Sequence, residues 1–363
     1  MLTIRVSGLS RPMSCAGSLF FEDLPPQETS DAAAEGTAAG QLLEEMLKQR
    51  SVTPAVASHA TNGVAFDADM WFYLPRIAQD ILDRAGSNAV LCETRIDWDT
   101  SSGIKIKGRY DVSFVKDGVL YIEDLKYGFG IVEPENNWQL LGYAIGECKR
   151  LGVGFERIEL TVHQPRPYHE LGSKRTWVID YTTLGEKWLQ IEERMTAIAG
   201  GLKDLTTGKQ CKYCPAASVC PAISRSVFQG LDTTLGEWTQ ETMSEEQISY
   251  MMDLLDTALE QTKIKRESLI QLAVSKIKAG KIIPNYTQTE TYGDRKWKKE
   301  VSPEVLETLT GTKVTELVML SPAKVEKLGI PKDLVNNMIT RDFRGTKLER
   351  KDSGAEAAKV FNK

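Results

Sequence analysis

The 363-residue sequence contains no run of about 18 apolar residues, and this absence argues against a membrane-spanning helix. Its first residues, MLTIRVSGLSRPMSC, lack the charged segment and long apolar run that mark a secretory signal peptide. Internal repeats are missing, and low-complexity sequence is confined to an alanine-rich patch at 32–39. We therefore expect a cytosolic protein with no membrane partner.

The sequence also has no excess of basic residues. It contains 45 Lys and Arg and 50 Asp and Glu, which gives a net charge of −5. This balance argues against a nonspecific basic coat for nucleic acid. The charge is unevenly spread along the chain. Residues 231–260 contain eight acidic and no basic residues, whereas residues 261–363 contain 21 basic and 13 acidic ones. A locally basic segment that binds nucleic acid is therefore compatible with the acidic total.

Cysteine is present in a pattern that does not predict disulfides, because a cytosolic chain is kept reduced. Three of the six cysteines crowd into the segment CKYCPAASVC, namely Cys211, Cys214 and Cys220. Three thiolates this close predict a metal or cluster site. Cys15 is the favoured fourth ligand, because Cys92 and Cys148 fall inside a predicted strand and a predicted helix. The long span from Cys15 to the others is unusual for a zinc knuckle and favours an iron–sulfur site.

Hydrophobic periodicity predicts an α/β domain followed by an α-rich extension. The expected helices cover 32–50, 66–85, 136–152 and 183–205, and the expected strands cover 89–98, 104–114, 119–127, 157–165 and 175–180. Turn residues between the first three strands indicate an antiparallel meander. A break near Gly230 divides the chain into a domain over 1–230 and an extension over 231–363, which starts with a helix at 244–280.

Acidic and basic side chains converge on two neighbouring strands of this meander. Asp111 lies on the second strand, and Asp124 and Lys126 share one face of the third. A hairpin turn at 116–118 brings Asp111 beside Asp124. Carboxylates bind Mg²⁺ or Mn²⁺, a bound cation activates water, and a lysine stabilises negative charge on a phosphate, so the group suits phosphodiester hydrolysis. The carbonyl of Leu125 is a further predicted metal ligand.

Two side chains on the following helix extend this group. Gln139 and Tyr143 are spaced i, i+4 and share a face, from which they can contact Lys126 or a DNA phosphate. The alternative is ordinary helix amphipathicity, just as Asp and Lys on exposed strands are usually solvated or paired. The apolar strand VLYI favours the functional interpretation, because a charge next to it is costly unless it is used.

The C-terminal extension carries basic residues around an aromatic one in YGDRKWKKE. The candidate DNA-binding residues are Arg295, Lys296, Trp297, Lys298 and Lys299. Such interleaving suits phosphate contact with base stacking, and a solvated face is an equally weighted alternative. The acidic stretch 237–260 is a candidate helix for docking a protein partner.

Together these residues resemble the PD-(D/E)XK nuclease superfamily in its RecB-like iron–sulfur branch, similar to CRISPR-associated and AddB-type iron–sulfur nucleases. The segments MSCAGS, EGTAAG and DRKW resemble phage-encoded RecB-like proteins. The resemblance covers residues 1–225 well and implies a restriction-endonuclease-like core, with a mixed central sheet flanked by helices. It implies catalytic roles for Asp111, Asp124, Lys126, Gln139 and Tyr143. It implies an iron–sulfur staple, a [4Fe–4S] cluster bound by Cys15, Cys211, Cys214 and Cys220.

The implied function is a Mg²⁺- or Mn²⁺-dependent DNA exonuclease of phage recombination or DNA end processing, in the cytoplasm of a bacterial host. Implied partners are DNA, a phage single-strand-binding or annealing protein, and further copies of the chain. Two alternatives are a non-catalytic DNA-binding or scaffold subunit and a spacer-processing factor for CRISPR-like adaptation. The family usually has a metal-ligating histidine where this chain has Gly40. One alternative is that the metal is held by Asp111, Asp124, a backbone carbonyl and water, with Glu35 or Glu44 as a further ligand. The other is that the activity is reduced.

Overall fold

A computed structural model of the chain describes residues 2–21, 24, 30–234 and 243–287. The helices are α1 (Ser10–Ser14), α2 (Asp31–Lys48), α3 (Ala68–Ala85), α4 (Trp138–Leu151), α5 (Tyr181–Ala199), α6 (Pro221–Thr234) and α7 (Glu245–Lys278). The strands are β1 (Thr3–Arg5), β2 (Val90–Asp99), β3 (Lys105–Lys116), β4 (Val119–Leu125), β5 (Arg157–His163) and β6 (Lys174–Ile179). The helices and strands predicted within residues 32–205 are confirmed, with shifts of up to two residues at all ends but one. The last helix ends at Ala199 and not at 205, because Gly200 and Gly201 follow it and Gly201 has a positive φ of +99°.

The six strands form one mixed sheet in which β3 is the central element. β2 pairs with β3 along one edge, and β4 pairs antiparallel along the other edge at 112–116. β1 pairs parallel with residues 105–107 of β3. Because β2 pairs with these same residues from its own edge, β1 must lie on the other edge of β3, which is the edge of β4. Residues 108–111 of β3 therefore have neither neighbour on that edge. The carboxyl ends of β1 and β4 approach this stretch from its two sides, and we call it the β3 gap.

Helices cover both faces of the sheet and create two apolar cores. On one face α4 and α5 pack over Ile106, Leu120 and Ile122. On the other face α2 and α3 pack over Val112 and Phe114. The predicted fold class, a mixed central sheet flanked by helices, is confirmed.

The compact unit that contains the sheet extends from Met1 to Gln288. Gly230, predicted to mark a break, lies inside α6. A Cβ atom at this residue would come within 2.2 Å of the Cβ of Ala258, so the missing side chain allows α6 to approach α7 closely. The assignment of separate functions to 1–230 and 231–363 stays a prediction. Within the described ranges, no helix has the length and apolar character needed to cross a membrane.

Candidate active site

The two predicted carboxylates lie opposite each other at the β3 gap. The register that pairs Val112 with Glu123 places Asp111 across from Asp124, as the hairpin predicted. The turn that sets this register has positive φ at Asp117 (+50°) and Gly118 (+75°), which matches the right-handed twist of paired strands. The amide of Leu125 donates to Asp111 Oδ2 at 2.8 Å and fixes that carboxylate against β4.

Lys126, Gln139 and Tyr143 join Asp124 in one hydrogen-bonded cluster beside Asp111. Lys126 Nζ lies 2.8 Å from Asp124 Oδ2 and donates to Gln139 Oε1 at 2.9 Å. Gln139 Nε2 donates to Asp124 Oδ1 and to the Tyr143 hydroxyl, each at 3.0 Å. Asn137 caps α4 by accepting from the amides of its first turn, which places Gln139 at the start of the helix. The structure therefore brings all five predicted catalytic side chains together.

The electrostatics of this cluster favour a bound cation. Burial raises the pKa of Asp111 to about 8, and the neighbouring Asp124 carboxylate adds to the rise. Burial by itself lowers the pKa of Lys126, but the attraction of Asp124 and Asp111 outweighs it and holds that pKa above its usual value. Burial and then Asp124 likewise raise the pKa of Tyr143. A divalent cation bound here would oppose the rise and favour the ionised form of Asp111.

The donor set fits Mg²⁺ or Mn²⁺. Asp124 Oδ2 is buried, and among the described residues it accepts no hydrogen bond of good geometry. Mg²⁺ commonly binds through one or two carboxylates while keeping several waters, so Asp111, Asp124 and the Leu125 carbonyl are a sufficient set. In the described part of the chain, no three His, Cys, Asp or Glu side chains are grouped as ligands of one ion. Water and substrate phosphate would therefore complete the coordination.

A buried ionic cluster on the opposite face of the sheet holds Lys126 in place. Glu123 precedes Asp124 on β4 and therefore points to the opposite face. It accepts from Arg84 at 2.5 and 2.9 Å and pairs with His163 Nε2 at 2.5 Å. The carbonyl of His163 accepts from the amide of Lys126 at 2.8 Å. Sequence reasoning missed this cluster, because the partners come from α3, β4 and β5.

Acid should weaken the fold through Glu123. Burial by itself raises the pKa of this carboxyl, but the hydrogen bond with His163 and the Arg84 guanidinium outweigh burial and lower the pKa to about 2. Because the folded pKa lies below the ordinary value of 4.5, the stabilisation is complete above that value and is lost as the pH falls toward 2. We expect the free energy of unfolding to fall by on the order of 3 kcal/mol across this range.

Urea titrations at a series of pH values measure this dependence. A Glu123→Gln variant should be less stable near neutral pH and should have a flatter profile below pH 4.5. The matched control is Glu159→Gln, because Glu159 carries an exposed pairing with Arg157 on β5. Equal acid sensitivity in the wild type and the Glu123 variant would contradict the assignment.

Glu93 is a site residue that sequence reasoning missed. The register of β2 places it opposite Asp111, and its backbone has φ of +48°, which costs a non-glycine residue free energy. Its carboxylate pairs with Arg109 at 2.5 Å. Burial raises the pKa of Glu93 against the effect of Arg109, with a further contribution from Glu44. No local pattern predicts a strained residue here, since the strain depends on strand pairing.

Gly40 lies in the middle of α2, where the family resemblance expects a histidine. No atom lies within 4 Å of the position that a Cβ at Gly40 would occupy, so this position has room for a side chain. Glu44 follows one turn later and pairs with Lys48 at 2.7 Å. Glu35, the other candidate extra ligand, pairs with Arg166 at 2.6 Å.

The four predicted cluster ligands come from two segments that are far apart in the sequence. Cys15 follows α1, Cys211 lies in a 3-10 helix at Lys209–Tyr213, and Cys214 and Cys220 follow it. Backbone contacts hold the two segments side by side. The amide of Gly17 donates to the Asp204 carbonyl at 2.8 Å, and the Thr206 hydroxyl donates to the Ser14 carbonyl at 2.6 Å. A Cβ at Gly17 would come within 2.6 Å of the Lys203 carbonyl oxygen, so a side chain would prevent this approach.

The thiols also affect each other's ionisation. Burial raises the pKa of Cys211, and the nearby Cys214, Cys220 and Cys15 raise it further. Burial likewise raises the pKa of Cys214, with contributions from Cys220 and Cys15. The neighbouring thiols therefore disfavour the thiolates of Cys211 and Cys214, and the irons of an iron–sulfur cluster would stabilise them. A [4Fe–4S] cluster binds each thiolate through a different iron atom and does not require several ligands around one ion.

The two remaining cysteines, Cys92 and Cys148, belong to the packing of the two apolar cores. Burial raises the pKa of both Cys92 and Cys148 to about 12, which suits inert core thiols. The predicted DNA-binding residues 295–299 lie outside the described residues.

A family model described as "Protein of unknown function (DUF2800)" matches residues 3–344. The chain belongs to this family. The part that matches DUF2800 includes the β3 gap, the four cysteines and most of the C-terminal extension. A solved structure titled "Crystal structure of SSO0001" is 14% identical, with a TM-score of 0.30, and the match covers 61% of this chain and 87% of that one. A likeness at that level supports no statement about the fold or function of this DUF2800 protein.

Proposed function

We propose that this protein is a Mg²⁺- or Mn²⁺-dependent deoxyribonuclease of the PD-(D/E)XK superfamily, which acts as an exonuclease in phage recombination or DNA end processing. The observation that carries the proposal is the cluster of Asp124, Lys126 and Gln139, linked at 2.8–3.0 Å. Asp111 lies across from Asp124 and accepts from the Leu125 amide at 2.8 Å. Two carboxylates and a lysine at the end of a buried strand pair are the groups that phosphodiester hydrolysis needs.

Each side chain of the cluster has a role that follows from its contacts. A divalent cation on Asp111, Asp124 and the Leu125 carbonyl would supply Lewis-acid stabilisation and lower the pKa of water. Lys126 places a positive charge where negative charge develops on the phosphate oxygens. Gln139 holds Lys126 through Oε1 and Asp124 through Nε2, so both keep one orientation. In-line attack by water on the phosphorus would then break its bond to O3′ and leave a 5′-phosphate and a 3′-hydroxyl, as the resemblance implies.

The wild-type protein tests this proposal directly. We expect it to degrade end-labelled linear DNA with Mn²⁺ or Mg²⁺ and to be inactive with EDTA. A covalently closed circle should stay intact, because an exonuclease needs an end. Cleavage of the circle would show that the nuclease is an endonuclease and not an exonuclease. Intact linear DNA with both cations would contradict a nuclease.

Gly40 favours a second candidate, a non-catalytic DNA-binding or scaffold subunit on the same fold. The position offers open space but no ligand, so the cation depends on two carboxylates and a carbonyl. In the same assay, a scaffold would bind DNA and leave linear DNA intact with either cation.

Restoring a ligand should strengthen the metal site. We expect Gly40→His to bind Mn²⁺ about tenfold more tightly in calorimetry and to reach half-maximal activity at a correspondingly lower Mn²⁺ concentration. The matched control is Gly36→His, one turn earlier in α2 and equally free of atoms within 4 Å of its Cβ position. Both variants remove a helix-interior glycine, so both should gain helix stability. An unchanged Mn²⁺ affinity at Gly40→His would show that this position lies away from the metal.

A further inference from the structure

A groove with a volume of about 790 Å³ lies beside the catalytic cluster and is strongly basic. Its charged residues are Arg5, Arg95, Asp97, Lys107 and Arg109. Four cations against one carboxylate make this an anion-attracting surface. The composition of the chain conceals it, because the total charge is −5.

Strand pairing assembles the groove from three strands. Arg5 on β1 and Asp97 on β2 flank Lys107 on β3, and Arg95 pairs with Arg109 in the next row. Neighbouring strands lie about 4.8 Å apart, so these cations are held close together. Two of the groove's charges are neutralised, because Asp97 pairs with Lys105 and Arg109 with Glu93.

The other three cations are exposed, and none of them has an ion-pair partner among the described residues. In the described part of the chain, Arg5, Arg95 and Lys107 form neither an ion pair nor a side-chain hydrogen bond. Like charges on adjacent strands repel, so this arrangement is unfavourable unless an anion binds. A ligand with several negative charges at regular spacing would relieve the repulsion.

The groove leads directly to the catalytic cluster. Tyr143 contributes to its wall, and the Tyr143 hydroxyl accepts from Gln139, which also donates to Asp124. Arg109 lies two residues before Asp111 on β3. The floor is Gly108, where a Cβ would come within 2.8 Å of Val6 and 3.0 Å of Tyr143. Both the groove and the cluster therefore open at the β3 gap.

We propose that this groove binds the phosphate backbone of the DNA strand whose scissile phosphate lies at Asp124 and Lys126. The inference rests on the proposed nuclease function for the identity of the polyanion. It assigns binding roles to Arg5, Arg95 and Lys107, and it places a DNA-binding surface within the sheet domain itself. Lysine and arginine on a groove bind phosphates without reading base sequence.

The test measures DNA binding without cleavage. Fluorescence anisotropy in EDTA, over a series of salt concentrations, would compare the wild type with the double variant Arg95→Glu/Lys107→Glu on a labelled single strand and on its duplex. We expect about tenfold weaker binding and a salt slope reduced by about 0.7–0.9 for each phosphate that the variant no longer neutralises. The control is Arg157→Glu on β5, which reverses one exposed cation remote from the β3 gap and should keep the wild-type slope.

Circular dichroism confirms that each variant is folded. Weaker binding on either probe, with a reduced salt slope, supports the groove. Wild-type affinity and slope on both probes would overturn it.

The two proposals fail separately. If the wild type cuts no DNA but the double variant loses affinity, the groove stands and the nuclease fails. If the wild type cuts DNA and the double variant keeps its KM, the nuclease stands and the groove fails.

Discussion

Replacing Lys126 by alanine should lower Mn²⁺-dependent DNA cleavage by about 10²-fold or more while DNA binding in EDTA stays near the wild-type value. The ammonium of Lys126 is the one positive group in the cluster, 2.8 Å from Asp124 and hydrogen-bonded to Gln139. Its removal deletes charge stabilisation that acts in the transition state, and so kcat falls more than affinity. Single-turnover kinetics on end-labelled linear DNA separate the two effects.

Lys174→Ala is the matched control for this prediction. Lys174 on β6 is also partly exposed and paired with an aspartate, since its Nζ lies 2.8 Å from Asp80. It lies outside the catalytic cluster, so its loss should leave the cleavage rate unchanged. Cleavage by Lys126→Ala at the wild-type rate would remove Lys126 from the mechanism. To show that a slower cleavage rate does not come from unfolding, Lys126→Ala should melt at the same temperature as the Lys174→Ala control.

The second prediction with a large expected effect concerns the iron content and stability of the cysteine site. Protein purified without oxygen should be brown, with about four iron atoms per chain and absorbance in the visible thiolate-to-iron region. Cys211→Ser should lose the iron and either fail to fold or melt at a temperature lower by roughly 10 °C or more. The reason is that Cys15 and Cys211 belong to segments that are far apart in the sequence, and backbone hydrogen bonds such as Gly17 to Asp204 are a weak substitute.

Cys92→Ala provides the comparison for the cluster. Cys92 is a partly buried thiol of β2 that packs in the core beneath α2 and α3, so its replacement should cost some stability and no iron. Elemental analysis and the visible spectrum of both variants decide the assignment. Stoichiometric zinc without iron in the wild type would overturn the iron–sulfur cluster. Full iron content in Cys211→Ser would exclude that residue as a ligand.

The sequence predicted those parts of the fold and site that depend on local spacing. Asp124 and Lys126 are two residues apart in a strand, and a two-residue hairpin turn returns the chain so that Asp111 faces them. Gln139 and Tyr143 are one helical turn apart, so their shared face followed from the helix. Each of these relations is set by backbone geometry over fewer than about twenty residues. That is why composition and periodicity were sufficient.

Local patterns could not predict features made by distant segments. The three residues of β1 are too few to show alternation, and only their pairing with Lys105 and its neighbours makes them a strand. Gly230 looked like a break, whereas it allows α6 to pack against α7.

The sequence by itself predicted that Asp111, Asp124 and Lys126 lie together, because strand periodicity and a short hairpin turn position side chains over short distances. Only the tertiary structure decided where the charge lies. It placed Arg5, Arg95 and Lys107 on three adjacent strands, buried Glu123 against Arg84 and His163, and gave Glu93 its strained backbone. The physical reason is that pairing between strands and packing between layers join residues as many as 192 positions apart, as in the contact of Thr206 with Ser14, and no periodic pattern spans such a separation.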